Sequence, residues 1–482
     1  MKLRSNLAGK QSFRLLKSAV AMLISGLGLL LVGALVHPTE AASGSAAPVW
    51  PNVGQQAVYS SVALTEHIYL PLLLKRYPTN SAFGVQMYGS LDPSTGFTRA
   101  VESKSGWLRF PVYWDTIEPT NTIPANYNWA SLDASVQAVH DSDIQAIFTF
   151  EHNPAWAAAK PGGPVTNSAD LQEFVGAVVA RYPSIHYWEI YNEPDSIQRF
   201  GTKGQTYAAL LANLYPLIKS ANPNAQVVLG GLAMDWFISD GGFFDRNFLS
   251  DTLKYCTGTC FDIANFHYYP YYRGTWEPYG HDIIGKANFV SQTLASYHFL
   301  RPLFATETGW PNGLKWGNEE WAARYVPKSF SRGLAAGLSA TVWFAMLDAD
   351  TSSPGLLDST RVPGSLIPRP AYAAYQVLTG LMNGAKYLGA APVSDPLEGY
   401  QFSAFDKRLD LYWYDCPLVK APLLSGPVDC SNTATLEVSA ARVSVIDKFG
   451  VESIMNDGDD GVLDGKITLS VGSSPIYIDY NP

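Results

Sequence analysis

Two glutamates stand where their neighbours point to chemistry. Glu193 lies in the run Trp188-Glu189-Ile190-Tyr191-Asn192-Glu193-Pro194, and Glu307 in Phe304-Ala305-Thr306-Glu307-Thr308-Gly309-Trp310-Pro311. Each ends a short apolar, β-prone run and is followed at once by turn residues, which predicts a carboxylate at the C-terminal tip of a strand. In a barrel of parallel strands that rim is the active-site face. Two carboxylates brought together there, with tryptophans around them, could split a glycosidic bond. One ionised group would attack the anomeric carbon while one protonated group releases the leaving oxygen.

Positioning such a pair takes regularly spaced strands. Strand-like runs begin near Phe83, Trp107, Ile144, Tyr187, Gln226, Phe261, Pro302 and Ala340. Between most of them apolar residues recur at helical spacing, as in 171–181, 206–220, 287–297 and 321–336. Eight alternations over about 300 residues predict the α/β class and a (β/α)8 TIM barrel. The rival is an open doubly wound sheet, and its usual Gly-x-Gly-x-x-Gly turn is missing after the first strand.

After residue 381 the texture changes. Short β-rich runs at 400–405, 410–414, 435–438, 442–447, 466–471 and 475–480 are separated by Gly, Asp and Pro, which predicts a C-terminal all-β sandwich. The expected division is 1–42, a signal peptide or N-terminal anchor; 43–80, a linker with a candidate edge strand of the β domain; 81–382, the catalytic barrel; and 383–482, the β-sandwich domain. Pro71 confines any strand at 67–74 to an edge.

At the N-terminus, Lys2, Arg4, Lys10, Arg14 and Lys17 precede an uncharged stretch at 18–36, and Ala41 and Ala42 follow. Basic, then apolar, then small is the order of a secretory signal. The stretch is also long enough for an uncleaved anchor. The expected location is secreted or extracytoplasmic, at the cell surface if the segment stays. Loss of residues 1–41 removes five basic residues and Glu40, taking the formal charge from −9 to −13. So acidic a chain repels nucleic acid and anionic lipid, making a neutral polymer the easier partner; no stable protein partner is implied.

The cysteines form two local pairs, Cys256 with Cys260 and Cys416 with Cys430. In an exported protein this spacing reads as two disulfides. It also suits a metal site, but no histidine or further cysteine accompanies either pair, and neither metal nor organic cofactor is expected. The acidic stretch 456–464 is similar to a calcium loop without its closing glutamate, so a solvated hairpin is the preferred reading.

The predicted strand tips collect polar and aromatic residues in order. Arg109 lies on the second strand, His152 after the third, Asn192 and Glu193 after the fourth. His267 and Tyr269 end the sixth, Glu307 ends the seventh, and Trp343 is on the eighth. Charged groups inside a barrel are costly unless paired, so their gathering at one rim implies a polar pocket. Glu189, four residues before Glu193 and on the same face but deeper, reads as half of a buried ion pair with an arginine. Glu151, Asp195 and Asp348 flank the predicted pocket, where they could touch sugar, and are not assigned to the site.

These positions resemble the pocket of the clan A retaining glycoside hydrolases, which include the family 5 cellulases and the family 39 β-xylosidases. Asn192-Glu193-Pro194 is similar to their acid/base motif and the Glu307 segment to their nucleophile strand. The run 107–114 with Ile117-Glu118-Pro119 resembles their arginine-bearing second strand. The likeness covers roughly 83–382, and the β module resembles the sandwich that accompanies some of these barrels. It implies double displacement on a β-linked polysaccharide or oligosaccharide, with Glu307 as nucleophile and Glu193 as general acid, then base.

On that likeness Arg109 and Tyr269 would hold Glu307 ionised, while apolar neighbours would keep Glu193 protonated. Asn192 would bond the sugar's 2-hydroxyl, and His152 and His267 would position hydroxyls and their supports. Trp343 would lie beneath the sugar, with Trp310, Trp156, Trp114 and Trp236 extending the platform. Three other readings stay open. One is an endo-β-1,3-glucanase-like enzyme, whose nucleophile also lies in Glu-Thr-Gly-Trp-Pro, although Asn-Glu-Pro favours the cellulase side. The others are a transglycosylase and a non-catalytic carbohydrate-binding surface protein.

Overall fold

The computed structural model describes residues 81–481 apart from 257, 311–318, 349–354, 421–424 and 428–429. The signal or anchor at 1–42 and the linker and edge strand expected within 43–80 lie outside the described residues.

Strands and helices alternate from Phe83 to Met382. They are β1 (Phe83–Gln86), α1 (Phe97–Glu102), β2 (Trp107–Tyr113), α2 (Ala130–His140), β3 (Gln145–Glu151), α3 (Ser168–Arg181), β4 (Tyr187–Asn192) and α4 (Gly204–Ala221). There follow β5 (Gln226–Gly231), α5 (Phe248–Tyr255), β6 (Ala264–Tyr268), α6 (Ile283–Ser296), β7 (Leu303–Thr308), α7 (Glu319–Ala335), β8 (Ala340–Trp343) and α8 (Pro370–Met382). The strands are rich in apolar residues and almost wholly buried, as expected where helices cover a parallel sheet. They pair in parallel in the order β5-β4-β3-β2-β1-β8-β7-β6. Bridges Val228 to Ile263 and Leu232 to Phe266 join β5 to β6 and complete the TIM barrel.

The helices form for local reasons that the sequence displays. In α3 the Asn167 side chain caps the first turn by accepting from the Ala169 N–H. Leu171, Phe174, Val175, Val178 and Val179 then form one buried stripe at helical spacing. At the N-terminal end of the barrel Trp107 packs edge-on to Tyr187 and Phe304, with centroids 4.8 and 5.2 Å apart. That aromatic plug closes the lower end, so the polar side chains have only the C-terminal rim to open upon.

Beyond Met382 the described regular elements are strands. They include β9 (Lys386–Ala390), β10 (Leu397–Ala404), β11 (Lys407–Tyr414), β12 (Ala434–Ser439), β13 (Arg442–Asp447), β14 (Glu452–Asn456), β15 (Lys466–Val471) and β16 (Ile476–Asp479). A six-stranded antiparallel sheet runs β9-β10-β11-β16-β13-β14, and β12 pairs with β15. One face of the sheet, with Tyr400, Phe402, Leu411, Trp413 and Tyr477, joins the barrel's core. The other, with Tyr412, Val443 and Ile478, packs with Leu436, Val438, Ile467 and Leu469 of the β12–β15 ribbon. Alternation along β11 separates the two sets, since Leu411 and Trp413 point one way and Tyr412 the other.

Buried charges reinforce the seam. Arg332 of α7 pairs with Asp282, Glu398 and Asp415 at 2.8, 2.6 and 3.0 Å, and Arg273 and His281 each reach Asp415 at 2.9 Å. The disulfides Cys256–Cys260 and Cys416–Cys430 are both formed. The acidic stretch departs from the expected hairpin, because it links β14 of the sheet to β15 of the ribbon. Its carboxylates accept backbone N–H groups: Asp457 from Asp464 and Gly465, Asp459 from Asn456, Asp460 from Val462 and Thr468.

Candidate active site

Arg109 organises the barrel's centre. A guanidinium has five N–H donors, and here each has an acceptor. Nε reaches Glu189 Oε2 at 2.6 Å, Nη2 reaches Glu189 Oε1 at 3.0 Å and Asn192 Oδ1 at 2.7 Å, and Nη1 reaches Gln86 Oε1 at 3.0 Å and Glu307 Oε1 at 2.7 Å. Glu189 is the expected buried partner. It also accepts from Thr149 at 2.6 Å, the Gly231 N–H at 2.9 Å and Asn265 at 2.9 Å. Burial works against its charge, but Arg109 outweighs burial and holds the carboxyl below its ordinary pKa.

Glu307 reaches the pocket through a bulge. Ala305 pairs with Phe266 and Glu307 with His267, so β7 carries one extra residue against β6, and it does the same against β8. Thr306 therefore turns inward to Asn265, at 2.8 Å, and the next residue, Glu307, turns inward as well. A regular strand would have sent one of them outward; bulges re-aim side chains in this way. Arg109 holds Oε1, and the Tyr269 hydroxyl donates to Oε2 at 2.9 Å.

Glu193 is presented by an irregular strand end. Tyr191 and Glu193 adopt left-handed backbone conformations, with φ of 64° and 44°, a strain that persists only where surroundings enforce it. The Tyr191 hydroxyl donates to Asn153 at 2.7 Å and the Glu193 N–H to the Gly231 carbonyl at 3.0 Å. The left-handed turn breaks alternation, so that Asn192 faces Arg109 and Glu193 faces His267.

His267 stands between the two glutamates. Its Nδ1 lies 3.2 Å from Glu193 Oε1 and 3.4 Å from Glu307 Oε2. The ring fits because residue 231 is glycine: a Cβ there would sit 2.0 Å from His267 Nε2. An oxygen of each glutamate and a ring nitrogen all fall within 4.8 Å of one another. Glu307 is the more enclosed carboxylate and Glu193 the more open, with side chains 8% and 23% exposed.

The electrostatics of the pocket reverse the expectation drawn from sequence. Burial, with the charge of Glu193, pushes Glu307 above its ordinary pKa against the pull of His267 and Arg109. Burial also acts on Glu193, but the hydrogen bond and charge of His267 outweigh it and bring that carboxyl down. The neighbours of Glu193 are polar rather than apolar, which is why the expectation fails. Asp195 and Asp235 lie behind it, raised by burial to about 7 and about 6, and Lys286 pairs with Asp235 at 2.7 Å. Two carboxyls so close titrate as a unit.

The aromatic platform is also corrected. Trp343 pairs in register with Val85 and Thr308, on the helix-facing side, and its ring stacks on Phe330 of α7 at 6.4 Å. The next residue, Phe344, faces the pocket, edge-on to Tyr88 at 6.0 Å and to Tyr269 at 6.5 Å. Trp310 packs against Tyr325 at 5.2 Å and lines a pocket whose walls include Trp321, Lys328 and Asp415 but neither glutamate. Trp156 packs edge-on to buried Trp114 at 5.3 Å, and Trp236 edge-on to Phe243 at 5.1 Å. His152 lies against Tyr113, ring centroids 4.6 Å apart. Gln86, Tyr88 and Phe344 escaped the sequence reading, although strand alternation carried to residue 344 would have found the last.

Two groups among the described residues have metal-ligand composition: Glu193 with His267 and Glu307, and His281 with Glu398 and Asp415. In each a protein cation already pairs with a carboxylate, Arg109 with Glu307 in the first and Arg273 and Arg332 with Asp415 in the second.

A closed (β/α)8 barrel with paired glutamates at its C-terminal rim defines the class, a clan A glycoside hydrolase. The family described as Cellulase (glycosyl hydrolase family 5) matches residues 76–343. The chain belongs to that family and is a glycosidase. No curated protein matches it in sequence. Among solved structures it is similar to a family 39 glycoside hydrolase from the gut symbiont Bacteroides cellulosilyticus WH2, with TM-score 0.63, 18% identity, and 83% of this chain and 81% of that one covered. It is similar to a glucosidase from Croceicoccus marinus, with TM-score 0.57, 14% identity and coverage of 83% and 95%. It is also similar to a GH30 endoxylanase from Clostridium papyrosolvens C71, with TM-score 0.54, 12% identity and coverage of 84% and 97%. At such identities these likenesses are of fold.

Proposed function

We propose that this glycosidase works with retention of configuration, by double displacement, on a neutral β-linked polysaccharide or oligosaccharide. The observation that carries the reading is the approach of the two carboxylates, with oxygens within 4.8 Å. Retaining enzymes hold their carboxyls about 5–5.5 Å apart, whereas inverting enzymes leave roughly 6.5–9.5 Å for a water.

Glu307 is the nucleophile. Donors on both of its oxygens fix its direction, and its enclosure keeps water from competing. Glu193, more open to solvent, lies where a leaving group departs and gives it a proton, then takes one from water. His267 supports the exchange of roles, since its Nδ1 is within reach of both carboxyls. With substrate bound, the proton that the pair shares resides on Glu193, leaving Glu307 ionised to attack, and Glu193 passes it to the departing oxygen as positive charge grows on the sugar. Asn192 gives its oxygen to Arg109, which leaves its NH2 to donate to the 2-hydroxyl.

The acidic composition supports a neutral substrate, as do the names of its family and of similar structures, a cellulase, a glucosidase and an endoxylanase. Two disulfides support an extracytoplasmic location. No helix among the described residues is long and apolar enough to cross a membrane. The test is whether Glu307→Gln and Glu193→Gln hydrolyse an aryl β-glycoside whose leaving group requires a proton. Loss of turnover in both folded variants is expected, and full activity in either would overturn the reading.

A further inference from the structure

Glu151 is a carboxylate in the pocket that no part of this mechanism uses. It ends β3, where its Cα partner is Tyr113 of β2. Two residues below, Thr149 points inward to Glu189, so alternation turns Glu151 inward too, one layer nearer the rim. Its charge acts on Tyr113 and on Tyr88 and Arg109, the last two of which also interact with Glu307.

Its bonding sets it apart from the other carboxylates around the barrel mouth. Asp195 accepts two backbone N–H groups, Asp348 accepts from Arg369 at 2.8 Å and from the Gly355 N–H, and Glu118 accepts from Trp114 at 2.7 Å. Among the described residues no donor hydrogen-bonds Glu151. His152 Nε2 lies 3.9 Å away, and the Glu151 side chain is 15% exposed. Its oxygens therefore keep acceptor capacity for solvent or for a bound donor.

We propose that Glu151 is a specificity-determining residue that accepts a hydrogen bond from the C3 hydroxyl of the sugar held against Glu307. The proposal rests on the glycosidase reading above. The strand order supplies the position: Asn192 of β4 takes the C2 hydroxyl, β3 is the next strand round the barrel, and C3 is the next carbon round the ring. A fixed negative charge here takes only donors, so the subsite selects neutral sugars and repels carboxylated ones.

The test compares wild type, Glu151→Ala and Glu151→Gln on the aryl glycoside hydrolysed best and on its 3-deoxy analogue. Wild type should lose about 10- to 100-fold in kcat/KM when the hydroxyl is removed, the scale of a hydrogen bond to a charged group. Glu151→Ala should lose as much on the parent glycoside yet hydrolyse parent and analogue within about twofold of each other, and Glu151→Gln should fall between. The melting temperature of Glu151→Ala should stay within a few degrees of wild type, because no hydrogen bond is lost. Wild-type kcat/KM in Glu151→Ala, or an equal loss on both substrates, would overturn the assignment. Turnover surviving in Glu307→Gln would instead strike the glycosidase mechanism, whatever Glu151→Ala does.

Discussion

Glu189 takes two of the five N–H groups of Arg109, while the nucleophile candidate Glu307 takes one. The pair is almost wholly buried. Removing one partner strands a buried charge, at a cost of about 3–5 kcal/mol. Glu189→Ala should therefore lose that much in urea unfolding. Any folded fraction should turn over more slowly, because Arg109 is released from the geometry that points Nη1 at Glu307. Unfolding free energy and activity unchanged from wild type would contradict this placement.

Neighbouring residues at the end of β8 should separate structure from binding. Trp343→Ala empties a core site between β8 and α7 and should cost about 3–5 kcal/mol. Phe344→Ala should leave the melting temperature within a few degrees and raise KM about tenfold, as loss of one face of the sugar site would. Calorimetry and steady-state kinetics on the same two proteins decide it. The reverse pattern would restore Trp343 as the platform.

The pH profile carries the coupling between the carboxyls. Glu307 must be ionised to attack, and burial together with Glu193 raises its pKa, so the acid limb of kcat/KM should lie above the ordinary carboxyl value of about 4.3. Glu193→Gln removes the neighbouring charge. The acid limb should then move to lower pH and the alkaline limb should disappear for substrates whose leaving group needs no proton, with kcat down about 10²- to 10⁴-fold for those that do need one. An acid limb that stays in place would show that the two groups titrate independently.

His281 should set the alkaline edge of stability. Burial acts to lower its pKa, but hydrogen bonds with Asp415, Glu277 and Glu398 overcome it and push the pKa up to about 11. A folded pKa above the unfolded value of about 6.5 stabilises fully below that pH and fades as pH rises towards 11. Melting temperatures should decline from about pH 7 upward in wild type. His281→Gln should melt lower at pH 6 and lack that decline. Parallel melting curves for the two proteins across this range would rule the assignment out.

Periodicity made the barrel legible. Apolar runs bounded by Gly and Pro located the starts of all eight strands to within about three residues, and the stripe in α3 is visible in its letters. What the alternation rule could not supply is where strands break it. The extra residue at Thr306, the left-handed Tyr191 and the register that turns Trp343 to the helices depend on neighbouring strands, not on local sequence. The same limit explains the inverted electrostatics of Glu193, whose polar neighbours Asp235, His267 and Lys286 come from distant segments. Glu151 stood in view in the sequence, but its lack of donors exists only in three dimensions.

The most direct measurement is to trap the covalent intermediate. A 2-deoxy-2-fluoro aryl β-glycoside slows both steps and lets the glycosyl-enzyme accumulate, and peptide mass spectrometry then locates the sugar. The double-displacement account predicts one equivalent of label, on Glu307, with inactivation slowed in Glu193→Gln. A label on Glu193, or no label together with a product of inverted configuration, would contradict it.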